Sequence, residues 1–289
     1  MNSIFYKFPD FLYENSVCLY MSKNMFLSIM ENTEIFDIYV INLDKDVNRL
    51  EKISKYLDNF IRIPGIYGEQ EDFSNNNDIL YLTRYLCPMS VLGCFMSHRL
   101  ALQTFIETSS KEYGLIIEDD AEPCFQDWNT KINESIQNAP SDWDIIKLDY
   151  LPKYDLFHQS RYTKFPSLIT TAYIVNKKSA EQILKHKMVY HIDIQLNFMG
   201  LNIYNNPEII FQQIWDDQNN SNNRKESTYN LIGYECMKFK AIRIFDKEYT
   251  FGDLIMLFLF ILFLIFVYIL NKYIVFFVES NNFQKIELQ

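Results

Sequence analysis

Apolar and polar positions fall in alternating blocks along most of this chain. Phe36 to Leu43 (FDIYVINL) is a run of β-branched and aromatic residues that predicts a strand ending at Asp44. Behind it Val47, Leu50, Ile53 and Leu57 recur at helical spacing, so a helix is expected from Asp46 to about Leu57. Phe60 to Ile63 predicts a second short strand, closed by Pro64-Gly65, and Glu69 to Asp78 an Asn-rich loop. A helix from about Gly93 to Glu107 precedes a buried strand at Leu115 to Ile117. A helix at Asp127 to Asn138, strands at Asp144 to Leu148 and Leu168 to Val175, and a helix from Ser179 to Lys187 follow, with short strands near Ile203 and Ile209. Strands alternating with helices predict an α/β sandwich on a mostly parallel sheet.

The pattern changes at both ends. Residues before about Glu34 carry no clear period. Asp216 to Thr228 (DDQNNSNNRKEST) is polar and biased and reads as a flexible tether. Leu254 to Leu270 is apolar without interruption, about 17 residues or about 26 Å of helix, near the thickness of an endoplasmic-reticulum-like bilayer. Tyr249, Phe251, Tyr268 and Tyr273 suit its interfaces, and the segment has no polar face that a core helix would leave in solvent. Lys238, Lys240, Arg243 and Lys247 precede the run, which orients its N-terminal side to the cytosol and makes the protein single-pass and tail-anchored. Glycan on either sequon, Asn133-Glu-Ser135 or Asn219-Asn-Ser221, would reverse that topology. The expected organisation is an unassigned extension at 1–35, a folded domain at 36–215, a polar tether at 216–248, a transmembrane segment at 249–278 and a short tail at 279–289.

Composition narrows the class. A net charge of −10 argues against a nucleic-acid partner and has the wrong sign for a protein that merely coats anionic lipid. The five cysteines are odd in number and form no Cys-x-x-Cys pair, so reduced thiols are expected in place of a zinc site or a disulfide framework. No Gly-rich phosphate loop occurs, which argues against a P-loop or dinucleotide-binding enzyme.

The chemistry collects at strand ends. Glu118, Asp119 and Asp120 follow the apolar triplet Leu115 to Ile117 directly. Like charges crowded at the rim of a core repel and lose solvation, and a divalent cation such as Mg²⁺ or Mn²⁺ answers both costs. The plainer alternative is a solvated acidic turn. Asp44 and Asp149 also fall at predicted strand ends, where ligands bind in open α/β sheets.

An ordered set of motifs runs through the domain: IYVINLDKDVNRLEKI from Ile38, Pro64-Gly-Ile-Tyr-Gly68, LGCFMSHRLAL from Leu92, GLIIEDDAEP from Gly114, WDIIKLDY from Trp143, TAYIVNKKSAEQIL from Thr171 and HIDIQL from His191. Together they resemble glycosyltransferase family 25, the lipopolysaccharide and collagen galactosyltransferases, over about Phe36 to Phe211. The resemblance implies a GT-A-like nucleotide-sugar-binding fold and inverting transfer from a UDP-sugar, galactose favoured. It implies Asp120 as the main Mn²⁺ ligand, Glu118 toward the ribose or a metal-bound water, and a structural Asp119. It also puts Asn42, Asp44, Arg49 and His98 beside the nucleotide, an Asn amide suiting a uracil edge and an Arg a phosphate.

Each role has a plainer rival. Asp193 matches a recurrent family Asp and is the candidate base for the acceptor hydroxyl, or else an ordinary N-cap. Asp149 competes for the base role, or is a surface carboxylate. Asp46 could cap its helix with Arg49 facing solvent, and His98 could simply pack. Many GT-A enzymes take a late histidine as third metal ligand; none of His98, His158, His186 and His191 lies beyond Asp193, leaving water or a carboxylate such as Asp216. The expected activity is a metal-dependent hexosyltransferase acting on a glycan, glycolipid or glycoprotein acceptor at a membrane. The alternative is a silent relative that binds or scaffolds there.

Overall fold

Continuous apolar strands without strict alternation require cover on both faces, and the sheet has it. The computed structural model describes residues 35–151, 161–214 and 235–286, with side chains as far as Tyr273 in the last helix. In chain order the elements are β1 (Phe36–Asn42), α1 (Val47–Ile53), β2 (Ile61–Pro64), α2 (Tyr81–Leu86), α3 (Met89–Thr108), β3 (Tyr113–Glu118), β4 (Ala121–Pro123) and α4 (Trp128–Asn138). Then come β5 (Ile145–Lys147), β6 (Ala172–Asn176), α5 (Lys177–Lys185), α6 (Ile192–Leu196), β7 (Ile203–Asn205), β8 (Phe211–Gln213), β9 (Lys240–Ile244), β10 (Lys247–Thr250) and α7 (Phe251–Ile286).

Six strands form the central sheet in the order β2-β1-β3-β6-β5-β7. The β1/β2, β1/β3 and β5/β7 pairs are parallel, and only β6 runs against its neighbours. The sheet is therefore mostly parallel, as expected, with antiparallel β6 inside it as a feature the alternation did not predict. Successive residues of each strand enter opposite cores. Phe36, Ile38, Val40, Leu115 and Ile117 pack with Ile53 of α1 and Ile132 of α4. Tyr39, Ile41 and Ile116 pack with Phe95, Leu102 and Phe105 of α3 and with Ile183 of α5. Strand order switches at β1, which has β2 on one side and β3 on the other, so the carboxyl ends of β1 and β3 open a crevice between them.

Several boundaries differ from expectation. Helix α3 begins at Met89 behind Pro88, which places Gly93 inside it. Helix α1 ends at Ile53, and Asp46 holds its N-cap position without a side-chain cap bond. Asn176, not Ser179, caps α5 by accepting from the Ser179 amide at 2.8 Å. The sequon Asn133 lies within α4, where the Ser135 hydroxyl is buried and donates to the Lys131 carbonyl.

The largest difference lies between the domain and the apolar tail. Residues 216–228, expected as a tether, lie outside the described residues. Residues 240–248, also assigned to the tether, form the first strand and part of the second in the β9–β10 hairpin, which is fixed to the domain. Arg243 donates to the carbonyls of Arg84 and Tyr85 on α2, Tyr190 Oη donates to the Ala241 carbonyl at 2.8 Å, and His191 Nε2 meets the Lys240 carbonyl at 3.0 Å. Buried Lys240 pairs with Glu248 at 2.7 Å. Helix α7 then continues β10 without a linker: Asp253 accepts from the Thr250 amide at 2.7 Å, and the Phe251 amide donates to the Phe239 carbonyl at 3.0 Å. Its stretch Phe251–Tyr273 is long and apolar enough to cross a membrane by length and composition, and beyond its first turns, from Leu257 to Tyr273, its side chains are exposed.

Candidate active site

The crevice at the ends of β1 and β3 is lined by Arg49, Tyr67, Ser90, His98, Glu118 and Asp120, among others. Its floor is a backbone contact. The Pro64–Gly68 loop lies on α3 so closely that a Cβ on Gly93 would stand 2.4 Å from the Ile66 carbonyl oxygen, and one on Gly68 would overlap the Met89 carbonyl. Only glycine at both positions permits that approach. Ser97 pins the loop by accepting from the Ile66 amide at 2.8 Å while donating to the Gly93 carbonyl at 2.7 Å. The two glycines and Ser97 thus shape the cleft without any charge of their own.

The three acidic residues diverge at once. Asp119 turns into the wall, accepting from Asn42 Nδ2 at 2.7 Å and from Arg49 at 3.1 Å. Burial still pushes its carboxyl above the usual range. Glu118 faces the cleft and accepts from Thr170 Oγ1 at 2.8 Å and from His98 Nε2 at 3.2 Å. Burial drives Glu118 upward, but His98, Thr170 and Arg49 outweigh it and hold the carboxyl below its ordinary range. On its other side His98 meets Tyr173 Oη at 3.2 Å. A proton on Nε2 satisfies both bonds, with the phenol donating to Nδ1.

Asp120 is the unresolved charge. Its Oδ2 accepts from Gln213 Nε2 at 2.9 Å and stands 3.9 Å from Arg49. Its Oδ1 is buried and has no hydrogen-bond partner among the described residues. Burial first, then Glu118 and Asp119, push this carboxyl up to about 7. A hard divalent cation fits that unmet oxygen and the adjacent carboxylates. The structure also gathers Cys94, His98 and Glu118 with their ligating atoms within 4.8 Å of one another. A thiol and an imidazole suit a softer ion, and His98 is already engaged by Tyr173 and Glu118. Asp120 and Glu118 offer the carboxylate oxygens that a harder ion such as Mn²⁺ or Mg²⁺ would take, although Asp120 lies outside that three-residue group.

The remaining expected residues separate. Arg49 lines the cleft, its guanidinium held charged by Asp120 and Asp119 against the cost of burial. Asn42 is buried behind the cleft. Its amide hydrogens go to the Asp46 carbonyl and to Asp119, and its oxygen accepts from Arg62. It orients Asp119 and turns no free edge toward a base. Asp44 points away, 83% exposed and paired with Arg62. Asp149 is buried rather than on the surface and accepts from the Gln213 amide at 2.9 Å, lining neither of the two clefts described here. Gln213 therefore joins Asp149 to Asp120 across the short β4/β8 ladder.

Asp193 belongs to a second, larger and mainly apolar cleft that shares Cys94 and Glu118 with the first. It is no N-cap, since α6 is preceded by His191. One carboxylate oxygen accepts from the Ile194 amide at 2.8 Å and the other from the Ile169 amide at 3.1 Å. Ile169 has φ 64°, a left-handed conformation that costs a β-branched residue energy and survives only when its surroundings impose it. Lys147 imposes the other half. Its buried Nζ donates to the carbonyls of Ile169 at 3.0 Å and Ser167 at 2.7 Å, and burial lowers it to about 8 against the pull of Asp193 and Asp149. The sequence reading missed Lys147, Thr170, Tyr173 and Gln213. Only Lys147 carried a signal, as a lone cation inside the apolar strand DIIKLD.

A model of glycosyltransferase family 25 (LPS biosynthesis protein) matches residues 35–197. No curated protein matches the chain. Among solved structures, A197 from STIV is similar at 13% identity, with 63% of this chain and 86% of that one covered and a TM-score of 0.32. A Drosophila β-1,4-galactosyltransferase 7 variant, solved in complex with manganese, UDP-Gal and xylobiose, is similar at 9% identity, with 67% and 77% covered and a TM-score of 0.32. The family match spans more than half of the 289 residues and takes in the first cleft and Asp193; the chain belongs to glycosyltransferase family 25.

Proposed function

We propose that this glycosyltransferase moves a hexose, galactose favoured, from a UDP-sugar to a hydroxyl acceptor with inversion, on a GT-A-type framework. The observation that carries the reading is Asp120, whose buried Oδ1 has no hydrogen-bond partner among the described residues and which lines, with Glu118, a cleft at the sheet's switch point. Asp120 and Glu118 would hold Mn²⁺ or Mg²⁺, which when bound supplies positive charge against the departing diphosphate. Arg49, at the start of α1, adds a cation to the same wall, and His98 fixes Glu118 in place.

Asp193 is the base. It lines the second cleft, which shares Cys94 and Glu118 with the first, so an acceptor hydroxyl there would lie next to the donor. The new bond joins the acceptor oxygen to the anomeric carbon as the bond from that carbon to the diphosphate oxygen breaks, and Asp193 takes the hydroxyl proton. Asp149 keeps Gln213 on Asp120. With α7 in a bilayer, the cations Lys238, Lys240, Arg243 and Lys247 before it favour a domain on the cytosolic side.

The test is a panel of UDP-sugars with the full chain in detergent, with and without MnCl₂, scored by UDP release and by transfer to glycoside acceptors. Metal-dependent turnover of UDP-galactose is expected. UDP binding without turnover of any donor would replace this reading with that of a silent binding protein.

A further inference from the structure

Apart from Cys94 and Glu118, which it shares with the first, the second cleft is walled by residues outside the donor cleft. Leu168, Ile169 and Ile192 form one side, and Met237 and Phe239 another. The first turns of α7 close it through Phe251 and Ile255. This is the helix whose next residues are apolar and exposed throughout. Its root is locked, not tethered. Asp253 holds Thr250, Phe239 holds Phe251, and the His191 ring lies 6.0 Å from the ring of Phe251. A helix rooted in this way carries the cleft at a fixed height against the bilayer, with its apolar wall passing into the apolar flank of the helix.

From this geometry we propose that the acceptor is a membrane lipid bearing a hydroxylated headgroup, and that its chain lies in the apolar cleft along Phe251 and Ile255 while the headgroup hydroxyl reaches Asp193. The proposal deepens the glycosyltransferase reading and rests on it. Three observations favour a lipid over a soluble glycan or a folded protein. The lining is mainly apolar, whereas a free sugar needs a polar one. The first turns of the membrane helix form part of its wall, through Phe251 and Ile255. It also shares Cys94 and Glu118 with the donor cleft, so a headgroup held in it stands beside the donor site. Ile169 is the sill between wall and base. Asp193 and Lys147 clamp it from either side in its left-handed conformation, which fixes the apolar surface relative to the carboxylate.

The test uses the full chain in phosphatidylcholine nanodiscs with UDP-galactose and MnCl₂. Matched pairs of methyl and dodecyl glycosides serve as acceptors, and a dodecyl glycoside with a diazirine on its chain serves as a label independent of turnover. Dodecyl glycosides are expected to exceed their methyl partners at least 10-fold in kcat/KM, and the label should mark residues 168–170 and 251–255. Leu168→Glu and Ile255→Glu should each narrow the ratio toward one by raising KM for the dodecyl partner. Equal use of the two partners, or labelling confined to α7 beyond Met256, overturns the lipid acceptor while leaving the enzyme standing. If no acceptor is turned over and no UDP released, the fault lies with the glycosyl-transfer reading, and the labelling pattern alone decides whether a lipid occupies the cleft.

Discussion

Replacing Asp120 with Asn isolates the charge that the fold leaves unanswered. In the native chain this carboxyl titrates near 7, against an ordinary value of 3.8. Between those limits the folded chain keeps a proton that the unfolded chain has lost, so stability falls as pH rises from about 4 to 7 and stays low above. Three units at about 1.4 kcal/mol each give roughly 4 kcal/mol of destabilisation when the charge is fully developed. Asn removes it and keeps an oxygen for Gln213 but loses the attraction to Arg49 at 3.9 Å; about 2–4 kcal/mol should be recovered at pH 8. For a domain of this size that is about 5–15 °C in Tm. At pH 4.5 the gain should shrink to about 1 kcal/mol, because the native carboxyl is already protonated. The assay is thermal unfolding in detergent, followed by near-ultraviolet circular dichroism at both pH values, with EDTA or with MnCl₂. The native chain should gain about 2.7 kcal/mol from Mn²⁺ at a hundred times its Kd, and Asp120→Asn far less. A variant no more stable than the native chain at pH 8 in EDTA refutes the buried charge, and one that Mn²⁺ stabilises as much as the native chain refutes its role as ligand.

Three further outcomes follow from the same geometry. Gly93→Ala sets a methyl against the Ile66 carbonyl and the Gly68 amide, backbone atoms that cannot rotate away; it should cost about 1–3 kcal/mol and raise the donor KM, and an unchanged melt with unchanged KM would remove the cleft floor from the account. Asp193→Asn should lower kcat by about 10²–10⁴-fold with donor KM held, since it removes the proton acceptor and leaves the nucleotide side intact, while a fall in donor affinity alone would reassign it. Asp44→Ala should change stability by less than about 1 kcal/mol and leave donor KM alone, whereas Asn42→Ala strips Asp119 of a buried donor and should cost about 1–3 kcal/mol; equal effects in a denaturant titration would contradict the division of labour between them.

Much of the framework was legible along the chain. Phe36 to Leu43, Leu115 to Ile117 and the helices behind them follow local periodicity, which needs no knowledge of neighbours, and a mostly parallel sheet followed from their alternation, though not its antiparallel strand β6. The run Glu118 to Asp120 marked the site for a local reason too: three carboxylates on a strand end have nowhere to hide. The tail from Leu254 to Leu270 announced its apolar character by length alone.

Three-dimensional packing decided what each acid does. Glu118, Asp119 and Asp120 are consecutive, yet His98, Asn42 and Gln213 reach them from 20, 77 and 93 residues away and give them different protonation and different work. No spacing rule separates Asn42, spent inside the wall, from Arg49, which lines the cleft. Nor could composition reveal that residues 240–248, polar enough to pass for a tether, bond edge to edge as a hairpin and root the apolar helix on the domain. A hydrogen bond between distant segments leaves no periodic trace. The sequence could therefore settle which residues bear charge and which belong in the core, and only the fold could settle which of those charges are answered.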